Sequence, residues 1–308
     1  MKNTYLDFLV LQRSAIDLIK EEKYQDAIKS LEDAKTIFPN KVDRIGHWLT
    51  GIYCIQNNKK DALKELKEVL HKGLYWNPNI LTNDTDLSLI QDSEEFAEII
   101  HKSKELYNLH KRNSSSLLHT VGNSQSETTI TALHWKNSNA LDFSQQIVTD
   151  NLRDRYLFSF IQSSQLFSHG CYHWDDYDMA KNEIENSDVK FNDKVESAIK
   201  NRIIFGASQG ADTAIQMYFE PTRDYDTVIA LLPTLANLDI IEEKIKTHQK
   251  TKVKFVIITG DKDYYYTNVL EAMPIFEKYN VPCKLIVIEG MGHTIPENFE
   301  ELFEENIR

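Results

Sequence analysis

The hydrophobic period of this chain changes close to residue 111, and that change limits the folds open to it. Before it, apolar residues recur at spacings of three and four. Leu6, Leu9, Val10 and Ile16 form one such series, and Tyr24, Ala27, Ile28, Leu31 and Ala34 form another. This is the spacing of one face of an α-helix. After it, short β-rich runs at 128–134, 156–161, 202–205, 227–232, 253–259 and 284–289 alternate with helical stretches near 140–151, 176–187, 209–219, 239–249, 265–280 and 297–307. Regular alternation of strand and helix predicts βαβ units and a mostly parallel sheet with helices on both faces, an α/β architecture. The run at 117–121 is expected to pair antiparallel at an edge. The polar stretch 111–116, KRNSSS, reads as a linker between a small all-α domain of helical hairpins (1–110) and a larger α/β domain (117–308).

In the first region, MKNTYLDFLVLQ reads as a helix start, because Asp7 interrupts its apolar run and it lacks the small-residue cleavage site of a signal peptide. Pro39-Asn40 ends one helix. Helices follow over 42–57 and 59–72, with Gly73 as a C-cap. The Asp/Asn-rich segment 81–92 reads as a loop. A last helix over 93–109 has Ser93 as N-cap and Glu94 and Glu95 in its first turn. The region repeats itself: Ala27, Leu31 and Ala34 have counterparts 35 residues on in Ala62, Leu66 and Val69. This period resembles the tetratricopeptide repeat, a helix-turn-helix unit of about 34 residues. Only about two repeats are visible, and Pro39 has no match at Leu74, so this part reads as a small helical domain expected to pack on the larger one.

Composition narrows the function. With 35 basic and 47 acidic residues the net charge is −12, which disfavours nucleic acid and anionic membrane surfaces as partners. No apolar stretch approaches the roughly 20 residues that span a bilayer. Cys54, Cys171 and Cys283 are odd in number and widely spaced. Neither a disulfide framework nor a zinc ribbon is expected, and free thiols fit a reducing cytoplasm.

Chemistry concentrates at Gly206-Ala207-Ser208-Gln209-Gly210. This pentapeptide follows the apolar run 202–205 and precedes the helical stretch from Gln209. Strand, tight turn and helix are the context in which a serine is held exposed above a sheet as a nucleophile. Small residues at 206 and 210 let strand and helix pack closely, and the helix N-terminus offers N–H groups to an oxyanion. A serine nucleophile needs a base and an orienting acid. The run 253–259 ends in Gly260-Asp261-Lys262-Asp263, and the run 284–289 ends in Gly290-Met291-Gly292-His293. Strand C-termini of a parallel sheet share one edge, so Ser208, an aspartate and His293 are expected together there. Position alone leaves Asp261 and Asp263 as rivals.

With GASQG, GDKD and GMGHTIP in hand, residues 117–308 resemble the phospholipase/carboxylesterase branch of the α/β-hydrolases, which includes the acyl-protein thioesterases. The resemblance implies the α/β-hydrolase fold and a Ser208, Asp263, His293 triad, its G-x-x-D spacing selecting Asp263. It also implies cleavage of a small-molecule carboxylic ester or thioester, with no cofactor. Oxyanion donors would be the backbone N–H groups of Gln209 and Lys136. The relatives' L-H-G loop reads Leu133-His134-Trp135 here, so Trp135 replaces a glycine and is expected to crowd the acyl site. Trp135, His134, Trp174 and Tyr264 are the candidates to line the substrate pocket. His169, His173, Asp175 and Asp176 could suggest a metal, but Gly170 argues for a loop in which Asp175 or Asp176 caps the next helix. The helical domain is expected to restrict entry to the site or to bind a protein partner. A non-catalytic interaction protein and a peptidase with the same triad are the rival readings.

Overall fold

The computed structural model describes residues 4–220, 224–247 and 254–307. Expectations placed on residues 1–3, on 248–249 and on Val253 lie outside them. The strands are β1 (Leu117–Gly122), β2 (Thr128–Leu133), β3 (Leu157–Gln162), β4 (Leu166–Ser168), β5 (Cys171–Tyr172), β6 (Asn201–Ala207), β7 (Thr227–Leu231), β8 (Lys254–Gly260) and β9 (Cys283–Ile288). Helices α1 (Tyr5–Lys20), α2 (Tyr24–Ile37), α3 (Val42–Ile55), α4 (Lys59–His71), α5 (Pro78–Thr82), α6 (Ser88–Gln91) and α7 (Glu94–Arg112) precede the first strand. After β2 come α8 (Ala140–Ile147), α9 (Asp150–Arg155), α10 (Tyr177–Asn192), α11 (Gln209–Tyr218), α12 (Leu238–Thr247), α13 (Tyr266–Lys278) and α14 (Phe299–Ile307). The chain divides into two compact units, residues 1–114 with 166–170 and residues 115–165 with 171–308. None of the described helices is long and apolar enough to cross a membrane.

In the smaller unit, capping residues set the helix starts. The Thr4 hydroxyl accepts the Asp7 N–H at 3.3 Å, and the Asp7 carboxylate accepts the Thr4 N–H at 2.7 Å, a reciprocal capping box. Asn58 caps α4 and Ser93 caps α7, and Gly73 takes a φ of 75° just past α4. The repeated small and apolar positions all face inward: Ala27, Leu31 and Ala34, like Ala62, Leu66 and Val69, are at most 1% exposed. The segment 81–92 departs from the expected loop. Two short helices, α5 and α6, flank a 3₁₀ turn at Thr85–Leu87. Asn77 and Asp84 supply side-chain caps, Pro78 opens α5, and Leu81, Leu87 and Ile90 are fully buried. Within the Asp/Asn cluster, Asp84 serves as the cap of the 3₁₀ turn. Residues 166–170 group with this unit for a visible reason. The Ser168 hydroxyl accepts the Asn77 N–H at 3.1 Å, the Asn77 amide donates to the Phe167 carbonyl, and the Tyr107 hydroxyl donates to the Leu166 carbonyl.

In the larger unit, seven strands form one sheet in the order β1-β3-β2-β6-β7-β8-β9 among the described residues. β1 is an antiparallel edge strand on β3, as expected, and the other neighbours pair in parallel. Period-two alternation sends side chains to two cores. Ile203, Phe205 and Ala207 join Phe143, Phe299 and Phe303 on one face. Ile204, Ala230 and Ile257 join Ala211, Ile215, Val269 and Phe276 on the other. The single helix expected over 140–151 is two, because Thr149 accepts the Leu152 N–H and starts α9 afresh. The last helix begins at Phe299, three residues beyond Pro296.

One polar group fastens helices on the second face. Glu220, 5% exposed, accepts the Tyr177 hydroxyl at 2.9 Å, Lys181 Nζ at 2.7 Å and Lys244 Nζ. Burial alone would raise its pKa, but these donors outweigh burial and hold it at about 2. Its contribution to stability is therefore present above the ordinary value of 4.5 and is lost as pH falls toward 2. Glu220→Gln is expected to cost on the order of 2–3 kcal/mol at neutral pH. It should also flatten the fall in thermal unfolding temperature between about pH 5 and 2, measured by circular dichroism. Equal pH dependence in the two proteins would contradict this account.

Candidate active site

Ser208 sits between β6 and α11 with φ 53° and ψ −122°, a backbone conformation that L side chains rarely adopt. Its N–H is held by the Leu231 carbonyl at 2.9 Å, and its carbonyl accepts the N–H of Ala211 at 2.9 Å. The turn closes because two flanking residues lack a Cβ. A Cβ on Gly206 would lie 2.1 Å from the Gly210 carbonyl oxygen, and one on Gly210 would lie 2.4 Å from that of Leu133. Strand, elbow and helix therefore fit together only with glycine at both places.

Parallel pairing brings the neighbouring strand ends alongside, since Ala207 lies opposite Leu231 and Gly260 opposite Ile288. His293, on the loop after β9, places Nε2 2.9 Å from Ser208 Oγ and Nδ1 2.8 Å from Asp263 Oδ2. This fits an imidazole whose Nδ1–H donates to Asp263 and whose Nε2 accepts from the Ser208 hydroxyl. The other Asp263 oxygen accepts the Tyr265 N–H at 2.8 Å. The two aspartates take different partners: Asp261 Oδ1 accepts the Gly290 N–H at 2.7 Å and so braces the histidine loop. Gly260 permits that loop to approach, because a Cβ there would lie 1.9 Å from the Met291 carbonyl oxygen. Ser208 is 7% exposed and the Asp263 side chain 1%, while 19% of the His293 side chain meets solvent. The site opens at the histidine.

Three rings frame His293, with Tyr265 at 5.7 Å, Trp135 at 6.0 Å and Tyr264 at 6.3 Å between centroids. Tyr264 is 87% exposed. Trp135 is anchored sideways on α8, where its Nε1 donates to Gln146 Oε1 at 2.9 Å and its ring meets Phe143 edge-on. His134 does not reach open space. It is fully buried, its Nδ1–H donates to the Trp135 carbonyl at 2.7 Å, and burial pushes its pKa down to about 4, so the ring is neutral. Its carbonyl accepts Trp174 Nε1 at 2.8 Å.

Gln209, the residue after the serine, ties the elbow to the loop before α10. Its Oε1 accepts the Trp174 N–H at 2.9 Å and its Nε2 donates to Asp175 Oδ1 at 2.5 Å. The same carboxylate oxygen receives Lys136 Nζ at 3.2 Å. Asp175 thus joins the two loops whose backbone N–H groups, those of Lys136 and Gln209, were singled out from the sequence. Burial would raise the Asp175 pKa, but the Gln209 hydrogen bond, His173 and Lys136 bring it below the usual carboxylate value. Asp176 caps α10 by accepting the Met179 N–H. No cluster of His, Cys, Asp and Glu suited to a metal occurs among the described residues. Sequence reasoning missed the bracing role of Asp261 and the Gln209–Asp175–Lys136 link; both are side-chain contacts across distant loops with no local signature.

Residues 7–111 match the family described as A/B hydrolase-like, N-terminal domain. Among solved structures, an uncharacterized protein from Bacillus cereus ATCC 10987 shares 23% identity. The match covers 97% of this chain and 96% of that one, with a TM-score of 0.53. A phospholipase/carboxylesterase from Dyadobacter fermentans DSM 18053 is 19% identical over 63% of this chain and 97% of its own, with a TM-score of 0.46. Acyl-protein thioesterase 2 of Zea mays is 16% identical over 62% and 99%, with a TM-score of 0.47. The comparison with curated proteins found no match. The chain has an α/β-hydrolase fold, and its residues 7–111 are similar to the A/B hydrolase-like N-terminal domain.

Proposed function

We propose that this protein is a serine hydrolase that cleaves a carboxylic ester or thioester through an acyl-enzyme intermediate. One observation carries the reading: a continuous hydrogen-bonded chain from Ser208 Oγ through His293 to Asp263, at 2.9 and 2.8 Å, delivered by the ends of three different strands. Such a chain is what a serine needs to become a nucleophile at neutral pH. Ser208 Oγ attacks the acyl carbon while His293 Nε2 takes its proton. Asp263 holds the imidazole in the required tautomer. The developing oxyanion is received by the backbone N–H groups of Gln209 and Lys136, each worth about 3–4 kcal/mol in comparable sites. His293 then protonates the leaving group, and water hydrolyses the acyl-enzyme by the same steps in reverse. The strained Ser208 backbone supports the reading, since such strain collects at functional positions.

Purified protein is expected to turn over p-nitrophenyl acetate and butyrate. Ser208→Ala should lower kcat by at least about 10³-fold with the circular dichroism spectrum unchanged. Asp263→Asn should lower kcat by about 10³–10⁴-fold by disturbing the tautomer, whereas Asp261→Asn should leave the triad contacts in place and cost far less. Turnover that survives Ser208→Ala, or equal losses from the two aspartate variants, would contradict the assignment.

A further inference from the structure

Beside the elbow lies a cavity of about 390 Å³ that the triad does not use, within the size range of small-molecule sites. It runs from Gln209 along α11 to the loop between β7 and α12. Its polar walls come from Asp175, Gln209, Asp212, Thr213, Gln216, Thr234 and Asn237, and Leu235 and Ile240 stand on its smaller apolar side. We propose that this cavity binds a neutral, hydroxyl-rich group, so that the ester cleaved is an acylated sugar-like polyol. The proposal rests on the hydrolase reading above and names its substrate class.

The cavity is a built feature. The loop that walls it contains two leucines with left-handed backbone, Leu232 (φ 50°) and Leu235 (φ 44°), a conformation that costs energy for any residue with a side chain. Contacts from both sides hold it there. Asp212 of α11 accepts the Thr234 hydroxyl and the Leu235 N–H, the latter at 3.0 Å. Asn268 of α13 donates to the Thr234 carbonyl at 2.8 Å, and the Leu232 N–H donates to the Ile258 carbonyl at 2.7 Å.

The lining chooses among ligand classes. An alkyl chain would cover Gln216, Thr213 and Asn237 without answering their hydrogen-bonding groups, which is unfavourable. An anion would meet Asp175 and Asp212. A cation would find both carboxylates engaged, Asp212 by the loop and Asp175 by Gln209, Lys136 and His173. What suits the space is a group that donates and accepts without net charge. The Thr213 hydroxyl donates to the Gln209 carbonyl at 3.1 Å and keeps lone pairs to accept. Asn237 Oδ1 accepts the Ile240 N–H at 3.3 Å and keeps its NH₂ to donate. With the polyol in the cavity, Ser208 Oγ bonds to the acyl carbon and the bond from that carbon to the polyol oxygen breaks. The polyol oxygen takes its proton from His293, and water then releases the carboxylic acid.

The test pairs turnover with binding, on the full chain. Monoacetylglucose and hexyl acetate, equal in acyl group, are compared by kcat/KM. The expected preference is about 10-fold or more for the sugar acetate, reduced about 10-fold by Gln216→Leu through KM. Saturation-transfer NMR on Ser208→Ala reads binding without turnover and should show contacts from the sugar ring protons of monoacetylglucose. Hexyl acetate preferred, a preference unmoved by Gln216→Leu, or no sugar signal on Ser208→Ala would overturn the subsite. Turnover of p-nitrophenyl acetate with no sugar signal defeats the subsite and leaves the hydrolase reading intact. A sugar signal that Gln216→Leu weakens, with no ester turned over, keeps the subsite and defeats the hydrolase reading.

Discussion

Parallel strand pairing has a geometric consequence on which the rest of this molecule depends. Every strand from β2 to β9 within the main sheet points the same way, so the loops leaving β6, β8 and β9 emerge along one edge. Ser208, Asp263 and His293 are thereby brought into one hydrogen-bonded chain from segments up to 85 residues apart in sequence. The close approach is made possible by missing side chains. Gly206 and Gly210 let α11 sit against β6 and β2, and Gly260 lets the acid turn touch the histidine loop. Hydrophobic burial on both faces secures the sheet, and that burial offsets the strain held at Ser208.

Much of this was legible in the sequence, for a physical reason. Ser208, Asp263 and His293 each stand a few residues after a strand-like apolar run, and strand direction follows from strand-helix alternation. Topology then does the assembly. The antiparallel edge at β1 was legible in the same way. The short helices between Asn77 and Asp92 were not, because each is four or five residues long and too short to show a period. The break between α8 and α9 depends on one threonine turning its hydroxyl to a backbone N–H. Such a choice is settled by tertiary packing and leaves no periodic trace.

The side chains around Ser208 and His293 divide in a way that sequence position does not announce. His134 and Trp135 are neighbours, yet one is sealed beneath Trp174 and the other lies across α8 with its ring near His293. Asp261 and Asp263 are two residues apart, yet one braces a loop and the other holds the imidazole. Asp175 reads locally as a helix cap, a task that falls to Asp176, and instead links the loop of Lys136 to Gln209. The polar contacts thus fix the relative positions of three loops around one serine. On the side of Gln209 polar groups predominate over apolar ones, and around His293 the surroundings are aromatic.

The account stands or falls on whether Ser208 is an activated nucleophile in this setting. The most direct measurement is reaction with a fluorophosphonate, followed by intact-protein and peptide mass spectrometry. One adduct per chain, on the peptide that contains Ser208, slowed when His293 is replaced by alanine, is the predicted result. A folded protein that takes up no fluorophosphonate, or that takes it up at another residue, would contradict the central claim.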